Sequence, residues 1–353
     1  MLKFILRRLL VIPVTFLVIT AVLYGITMLS PVEARATLYL PRGSRSFLPV
    51  YMQENALKRV IRQHGLDDPY PVQYVRWLGR LVQGEWGWSP ILRADVLGLL
   101  LKRTPATAEL TLFSLLLLIP LGLLNGTIAG WRQGGHPDRW FRAAAYVGTS
   151  VPPFILGFVL LSIFYVGLHW FFPGRISTIT GLTINSTSFR TVTGLLTVDG
   201  LINGRPDITL EALRHLALPV VTLSLAHWAT LGRVTRAAMV EEKQKEYIVA
   251  ARARGLTNRS VIWRHAFLNA APPALTTTAL SAASLVTGVF VIEAVFSYPG
   301  LSQIINRGMG ATPDTPLAMG FAVYSVLIVL LIMLGIDILQ ALLNPLIRQE
   351  VTS

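Results

Sequence analysis

A chain of 353 residues that is 53% hydrophobic and only 14% charged carries too few ionic side chains for a soluble domain of its length. Its mean hydropathy of +0.56 points to an integral membrane protein. The net charge of +13 follows when Lys and Arg gather in loops beside anionic headgroups, so nucleic acid is not needed to explain it. The absence of cysteine excludes disulfides, thiol catalysis and thiolate metal sites, and the six histidines show no H-E-x-x-H spacing.

About 20 apolar residues carry a helix across the hydrocarbon core, and six stretches reach that length. Leu9–Leu29 is free of charge and follows Lys3, Arg7 and Arg8. It exceeds a signal-peptide core of about 7–15 residues, so it is read as a retained anchor despite the small-x-small triplet Ala34-Arg35-Ala36. Residues 30–109 hold no span and are expected to form a small extracytoplasmic subdomain leading to the second span. An amphipathic helix is expected there around Asn55–His64, with turns at Asp67-Asp68-Pro69 and Gly84. The second span is Leu110–Gly130. The third, Ala143–Phe172, should kink at Pro152-Pro153. Residues 173–210 are rich in Gly, Thr, Ser and Asn and read as loop or short strands facing water. Leu213–Leu231 is the weakest span, holding His215 and His227. Ala274–Phe296 is rich in small residues that let helices approach closely, and Leu317–Leu343 is the sixth. The expected fold is all-α, with an N-terminal span (1–29), the subdomain (30–109) and a five-span core (110–353).

Orientation follows from the basic residues. With the amino terminus inside, residues 1–8, 131–142, 232–273 and 344–353 are cytoplasmic, and so are both termini. The third of these pieces carries Arg233, Arg236, Lys243, Lys245, Arg252, Arg254, Arg259 and Arg264 against three glutamates. Within the spans so drawn, Glu293 and Asp337 are the acidic residues. Each is open to two readings, a pairing with a neighbouring helix near the interface or a polar contact lining a translocation path.

The loop 232–273 is the most informative region. Glu246–Arg254 is a run of good helix formers, Gly255 suits the left-handed residue that ends a helix, and Thr257 or Asn258 suits the cap of a second helix through Trp263. Small side chains at Ala250, Ala251 and Ala253 allow close approach, and the arginines supply a charged rim. An ordinary positive-inside loop would need the arginines but not the Ala-Ala-x-x-x-Gly spacing, and both readings stay open on the residues alone.

That stretch resembles the EAA loop of ABC-importer permeases, with Val249 where the first Glu stands. The departure is typical of the dipeptide/oligopeptide/nickel branch, which Glu246-Tyr247-Ile248, Ala251-Arg252-Ala253, Gly255-Leu256, His265-Ala266, Asn269 and Pro273 also resemble. The likeness continues in Gly65-Leu66-Asp67, in Arg103-Thr104-Pro105-Ala106-Thr107, in Glu293 with Phe296-Ser297 and Pro299-Gly300-Leu301, and in Asp314, Pro316, Asp337 and Asn344-Pro345. Segments near 31–60 and 173–210 do not share it. The resemblance implies a six-span permease with the architecture of a type I ABC importer, in a bacterial or archaeal inner membrane. It also implies a coupling helix seated on an ATP-binding subunit, through Glu246, Tyr247, Ala250, Ala251, Arg252, Arg254, Gly255, Leu256 and Arg259. Glu293, Asp314 and Asp337 become candidates for the translocation path or gate. Implied partners are a second permease subunit, two cytoplasmic ATP-binding subunits, an extracytoplasmic substrate-binding protein and membrane lipid. The chain has no G-x-x-x-x-G-K-[ST] loop, so ATP and Mg belong to the partner subunits and this chain is expected to be non-catalytic, without cofactor or metal. Peptides are the expected cargo, with nickel, opines or oligosaccharides as alternatives. A secondary transporter or membrane receptor working without an ATPase is the alternative from another class.

Overall fold

The computed structural model describes residues 2–36, 50–186, 189–309 and 314–343. Among these every regular element is a helix apart from one two-residue antiparallel ladder. In chain order the elements are α1 (Leu2–Thr27), α2 (Val32–Ala36), α3 (Val50–His64), α4 (Tyr70–Val82), β1 (Trp88–Ser89), β2 (Ala94–Asp95), α5 (Val96–Trp131), α6 (His136–Ser150), α7 (Pro153–Leu161), α8 (Thr178–Ile184), α9 (Leu196–Ile202), α10 (Pro206–Glu242), α11 (Glu246–Ala253), α12 (Asn258–Ser260), α13 (Phe267–Val295), α14 (Leu301–Gly308) and α15 (Thr315–Leu343). Two wide π-type turns, Ser162–Gly167 and Val261–Ala266, continue α7 and join α12 to α13. Five described helices are long and apolar enough to cross a membrane, and a sixth crossing results if α6 and α7 are one span bent by 99°.

That bend is sharper than a proline kink. Val151 precedes Pro152 and is held in extended backbone at φ −97° and ψ 121°, because the proline ring crowds the helical region for its predecessor. The expected third span, Ala143–Phe172, is therefore broken rather than kinked. The second is longer than its apolar run. α5 begins at Val96 rather than Leu110, because Lys102, Arg103 and Pro105 do not interrupt it. The segment 173–210, expected as loop or short strands, is loop interrupted by the short helices α8 and α9, with no strand among its described residues. Ser177 caps α8 by accepting the Thr180 N–H at 3.4 Å.

The chain divides into two compact units. One comprises residues 1–3, 103–303 and 331–353, and it is organised around α10. This was the least apolar of the expected spans, and the reason is its surroundings: most of its apolar window is covered by protein. A helix enclosed by helices can keep Thr222, Ser224 and Thr235 buried if their hydroxyls are satisfied. Thr222 donates to Leu218 O (2.7 Å), Thr235 to Leu231 O (2.8 Å) and Ser224 to Ser114 O on α5 (3.1 Å).

The seam between α5 and α10 is set by Gly122, Gly126 and Gly130, spaced four apart on one face of α5. A Cβ on Gly126 would stand 2.5 Å from Gly232 O, and one on Gly130 would stand 2.7 Å from Arg236 O, both main-chain atoms of α10. At an ordinary helical glycine, alanine adds about 0.5–1 kcal/mol of stability. Here Gly126→Ala is expected to reverse that sign and cost about 1–3 kcal/mol, because the two backbones must separate. A melting temperature equal to or above that of the parent would refute a backbone-on-backbone seam.

The other unit comprises residues 4–102 and 304–330. In it α1 shows Leu10, Val14, Val18, Val22 and Ile26 exposed. That is the surface of a helix whose neighbours are acyl chains. Near its Thr27 end, α4 packs on it through Tyr70, Tyr74 and Trp77, all gathered round Tyr24. The amphipathic helix expected around Asn55–His64 is present as α3.

Candidate coupling site

The loop 232–273 folds as its residues suggested. Gly255 sits at φ +76°, its N–H bonds to Arg252 O (2.9 Å) and that of Leu256 to Ala251 O (3.3 Å). This pair of bonds closes α11 as a Schellman turn, and it requires the left-handed residue that glycine supplies without a Cβ penalty. Of the two expected caps the chain uses Thr257, whose hydroxyl accepts the Ser260 N–H at 3.4 Å.

α11 has two faces. Ile248 and Ala251 are turned inward onto Met239 at the end of α10, Val261 and Ala266 of the π-type turn, and Ala270 of α13. Ala251 is only 6% exposed. The small side chain expected to seat the helix on a partner therefore seats it on its own chain. The outward face presents Glu246, Val249, Ala250, Ala253 and Arg254, with Gly255, Leu256 and Arg259 exposed beside it. Val249, in place of the family's Glu, is 62% exposed.

Both ends of the loop are tied down. At the α10 joint the buried Glu242 carboxylate accepts from Lys245 Nζ (2.6 Å) and from the Tyr247 phenol. Burial, and then the Glu242 carboxylate, push the Tyr247 phenol above its usual range, so it stays a donor at neutral pH. Trp131 ends α5 between two cations, Arg252 at 5.0 Å and Lys243 at 5.8 Å from its ring, and Lys243 also donates to Trp131 O (2.8 Å). Arg252 is thus stacked on the end of α5 while its side chain stays exposed. Nearby, Asp138 at the start of α6 is 1% exposed and accepts from Arg236 Nε (2.5 Å) and its terminal nitrogen (2.9 Å), and from the Gly134 N–H (2.8 Å). Displacing α11 would therefore pull on α5, α10 and α13 together.

The buried acids have a different character. Glu293 is 1% exposed and takes the Thr107 hydroxyl at 2.5 Å and the Ser302 N–H at 2.8 Å. The Thr107 hydroxyl in turn accepts the Leu301 N–H (2.9 Å), so Glu293 locks α13 to α5 and to the start of α14. Asp314, also 1% exposed, caps α15 through the Leu317 N–H (3.1 Å) and takes Ser89 Oγ at 2.6 Å. Of the candidates for a translocation path or gate, both are thus enclosed by their own chain, which fits the structural reading of Glu293. Asp337 lies on α15, and its side chain is outside the described residues. Among the described residues no group of three or more His, Asp or Glu side chains is placed to hold a metal.

The strongest polar hub was missed by sequence reasoning because it stood one residue outside the expected second span. Glu109 is wholly buried and accepts from Arg175 Nε (3.0 Å) and its terminal nitrogen (2.6 Å), from Thr197 N–H (2.8 Å) and hydroxyl (2.7 Å), and from the Tyr298 hydroxyl (3.3 Å).

Residues 119–349 match the family model described as the binding-protein-dependent transport system inner membrane component. Residues 1–111 match the N-terminal model of the same system's membrane component. The chain belongs to this family. The permease is 32% identical over 350 residues to the di/tripeptide transport system permease protein DppB of Pseudomonas aeruginosa, covering 99% of this chain and 100% of the relative. It is 30% identical to the dipeptide transport system permease protein DppB of Escherichia coli (99% and 100% covered) and 30% identical to the oligopeptide transport system permease protein AppB of Bacillus subtilis (92% and 94%). The multi-pass helical fold and the permease role expected from the sequence stand on these matches.

Proposed function

We propose that the permease pairs with a second permease subunit to form the membrane path for di- or oligopeptides delivered by an extracytoplasmic binding protein. Two cytoplasmic ATP-binding subunits drive it, holding ATP and Mg themselves and engaging the outward face of α11. The observation that carries the coupling role is the division of labour on α11. Its inner face is locked onto α10 and α13, while its outer face is small, partly apolar and uncovered. A helix held in this way transmits displacement instead of absorbing it. The peptide cargo is supported by the relatives' names, and the cytoplasmic placement of both termini by the excess of Lys and Arg in 232–273.

The test is ATP hydrolysis by the reconstituted complex. Binding protein loaded with peptide should stimulate hydrolysis and drive uptake into proteoliposomes, and empty binding protein should not. Uptake by this chain alone, without ATP or partners, would overturn the proposal. What the cognate binding protein retains separates peptides from nickel, opines or oligosaccharides.

A further inference from the structure

The second unit carries a concentration of positive charge that the coupling role does not use. A cavity of about 290 Å³ is lined by Arg62 and His64 of α3, Gly65 and Asp68 of the turn, and Arg76 and Arg80 of α4. Arg76 is fixed, donating to His64 O (3.0 Å) and to Asp68 Oδ2 (2.7 Å). Among the described residues no carboxylate pairs with Arg62 or Arg80. Burial, and then the charge of Arg80, hold the His64 imidazole below its usual range, so the surplus comes from arginines that stay charged at any working pH. The space equals the liquid volume of about ten waters, enough for a phosphate with part of its glycerol.

The depth of this cavity follows from α4. Tyr24, three residues before the end of α1 and so about 4.5 Å from it, has its ring 6.1 Å from those of Tyr70 and Tyr74 and 5.1 Å from that of Trp77. The Tyr70 and Tyr74 hydroxyls reach along α1 to Ala21 O (2.5 Å) and Leu17 O (3.0 Å). α4 therefore lies along the last three turns of a membrane-spanning helix, with its aromatic rings gathered about Tyr24 near the helix end, the level at which Tyr and Trp concentrate. Its outer side exposes Val72, Val75 (65% exposed) and Val82 (80%), next to Arg76 and Arg80. Apolar and cationic stripes side by side are the pattern of a helix lying in the interface. A soluble partner's acidic side chain could meet the arginines, but it would leave the valines in water. A phospholipid covers both.

We propose that Arg62, Arg76 and Arg80 form a binding site for the phosphate of an anionic phospholipid, whose acyl chains lie along the valine stripe of α4 and the first span. The test titrates the full-length chain in detergent micelles with phosphatidylglycerol and counts bound lipid by native mass spectrometry. Arg62→Gln/Arg80→Gln should weaken the tightest bound phosphatidylglycerol roughly 30-fold, at about a fivefold loss per charge, while phosphatidylcholine binds both proteins alike. Arg62→Lys/Arg80→Lys should recover most of that loss, and equal melting temperatures without added lipid would show that the variants fold. Unchanged phosphatidylglycerol binding in the glutamine variant would overturn the site. So would efficient competition by inorganic phosphate, which marks a free-anion site. A third overturning result is weaker capture of the binding protein by that variant with lipid binding intact, which assigns the arginines to protein docking.

Discussion

Glu109→Leu is expected to destabilise the permease by about 3–5 kcal/mol, the usual result of removing one partner from a buried ion pair. The loss comes less from the missing attraction than from what is left behind. Arg175, only 15% exposed, would keep its charge in a site built for a carboxylate, and Thr197 would lose the acceptor of both its N–H and its hydroxyl. Thermal unfolding in detergent measures the change, read as inactivation half-life where unfolding is irreversible. Glu109→Gln should cost less, because an amide oxygen still accepts from Thr197. The double variant Glu109→Leu/Arg175→Leu should fall well short of the sum of the single losses, since no charge is then left unpaired. A Glu109→Leu protein as stable as its parent would mean that the hub carries no net stabilisation.

Val249→Asp is expected to lower ATP-driven uptake at least tenfold while leaving the stability within about 0.5 kcal/mol of the parent, the range for exposed substitutions. Val249 touches nothing that the permease needs for its own fold. Under the proposed function it is covered by an ATP-binding subunit, where a carboxylate would be desolvated without a partner at a cost of about 2–5 kcal/mol. Ile248→Asp should do the opposite, unfolding the loop core around Met239 and Val261 before any question of coupling arises. Uptake by Val249→Asp at the parental rate would remove α11's outer face from the interface.

The contrast between those two neighbours shows what the sequence could and could not disclose. α11 and its turn were legible because their determinants are local: helix formers, then a residue for positive φ, then a hydroxyl cap, all within about a dozen positions. Which face of α11 points inward depends on Met239, Val261 and Ala270, which lie in other elements, and so the residues alone did not separate the inward Ala251 from Ala250 and Ala253. Glu109 was hidden for the same reason, its partners standing 66 and 88 residues away. The expected second span began at its apolar run, Leu110, whereas the helix starts at Val96 and runs through Lys102, Arg103 and Pro105. The four-residue spacing of Gly122, Gly126 and Gly130 was a signal present in the sequence, and it would have located the α5–α10 seam.

The two faces of α11 also differ in how freely they can change over time. Substitutions at Ile248 or Ala251 are constrained by this chain alone, since they must suit α10 and α13 whatever motor is attached. Val249, Ala250 and Ala253 are released from that constraint and, under the proposed function, free to drift in step with a separate gene product. Under the proposed function, a transporter built this way can adapt to a changed motor through the exposed side chains of a single short helix, leaving the packing against α10 and α13 untouched.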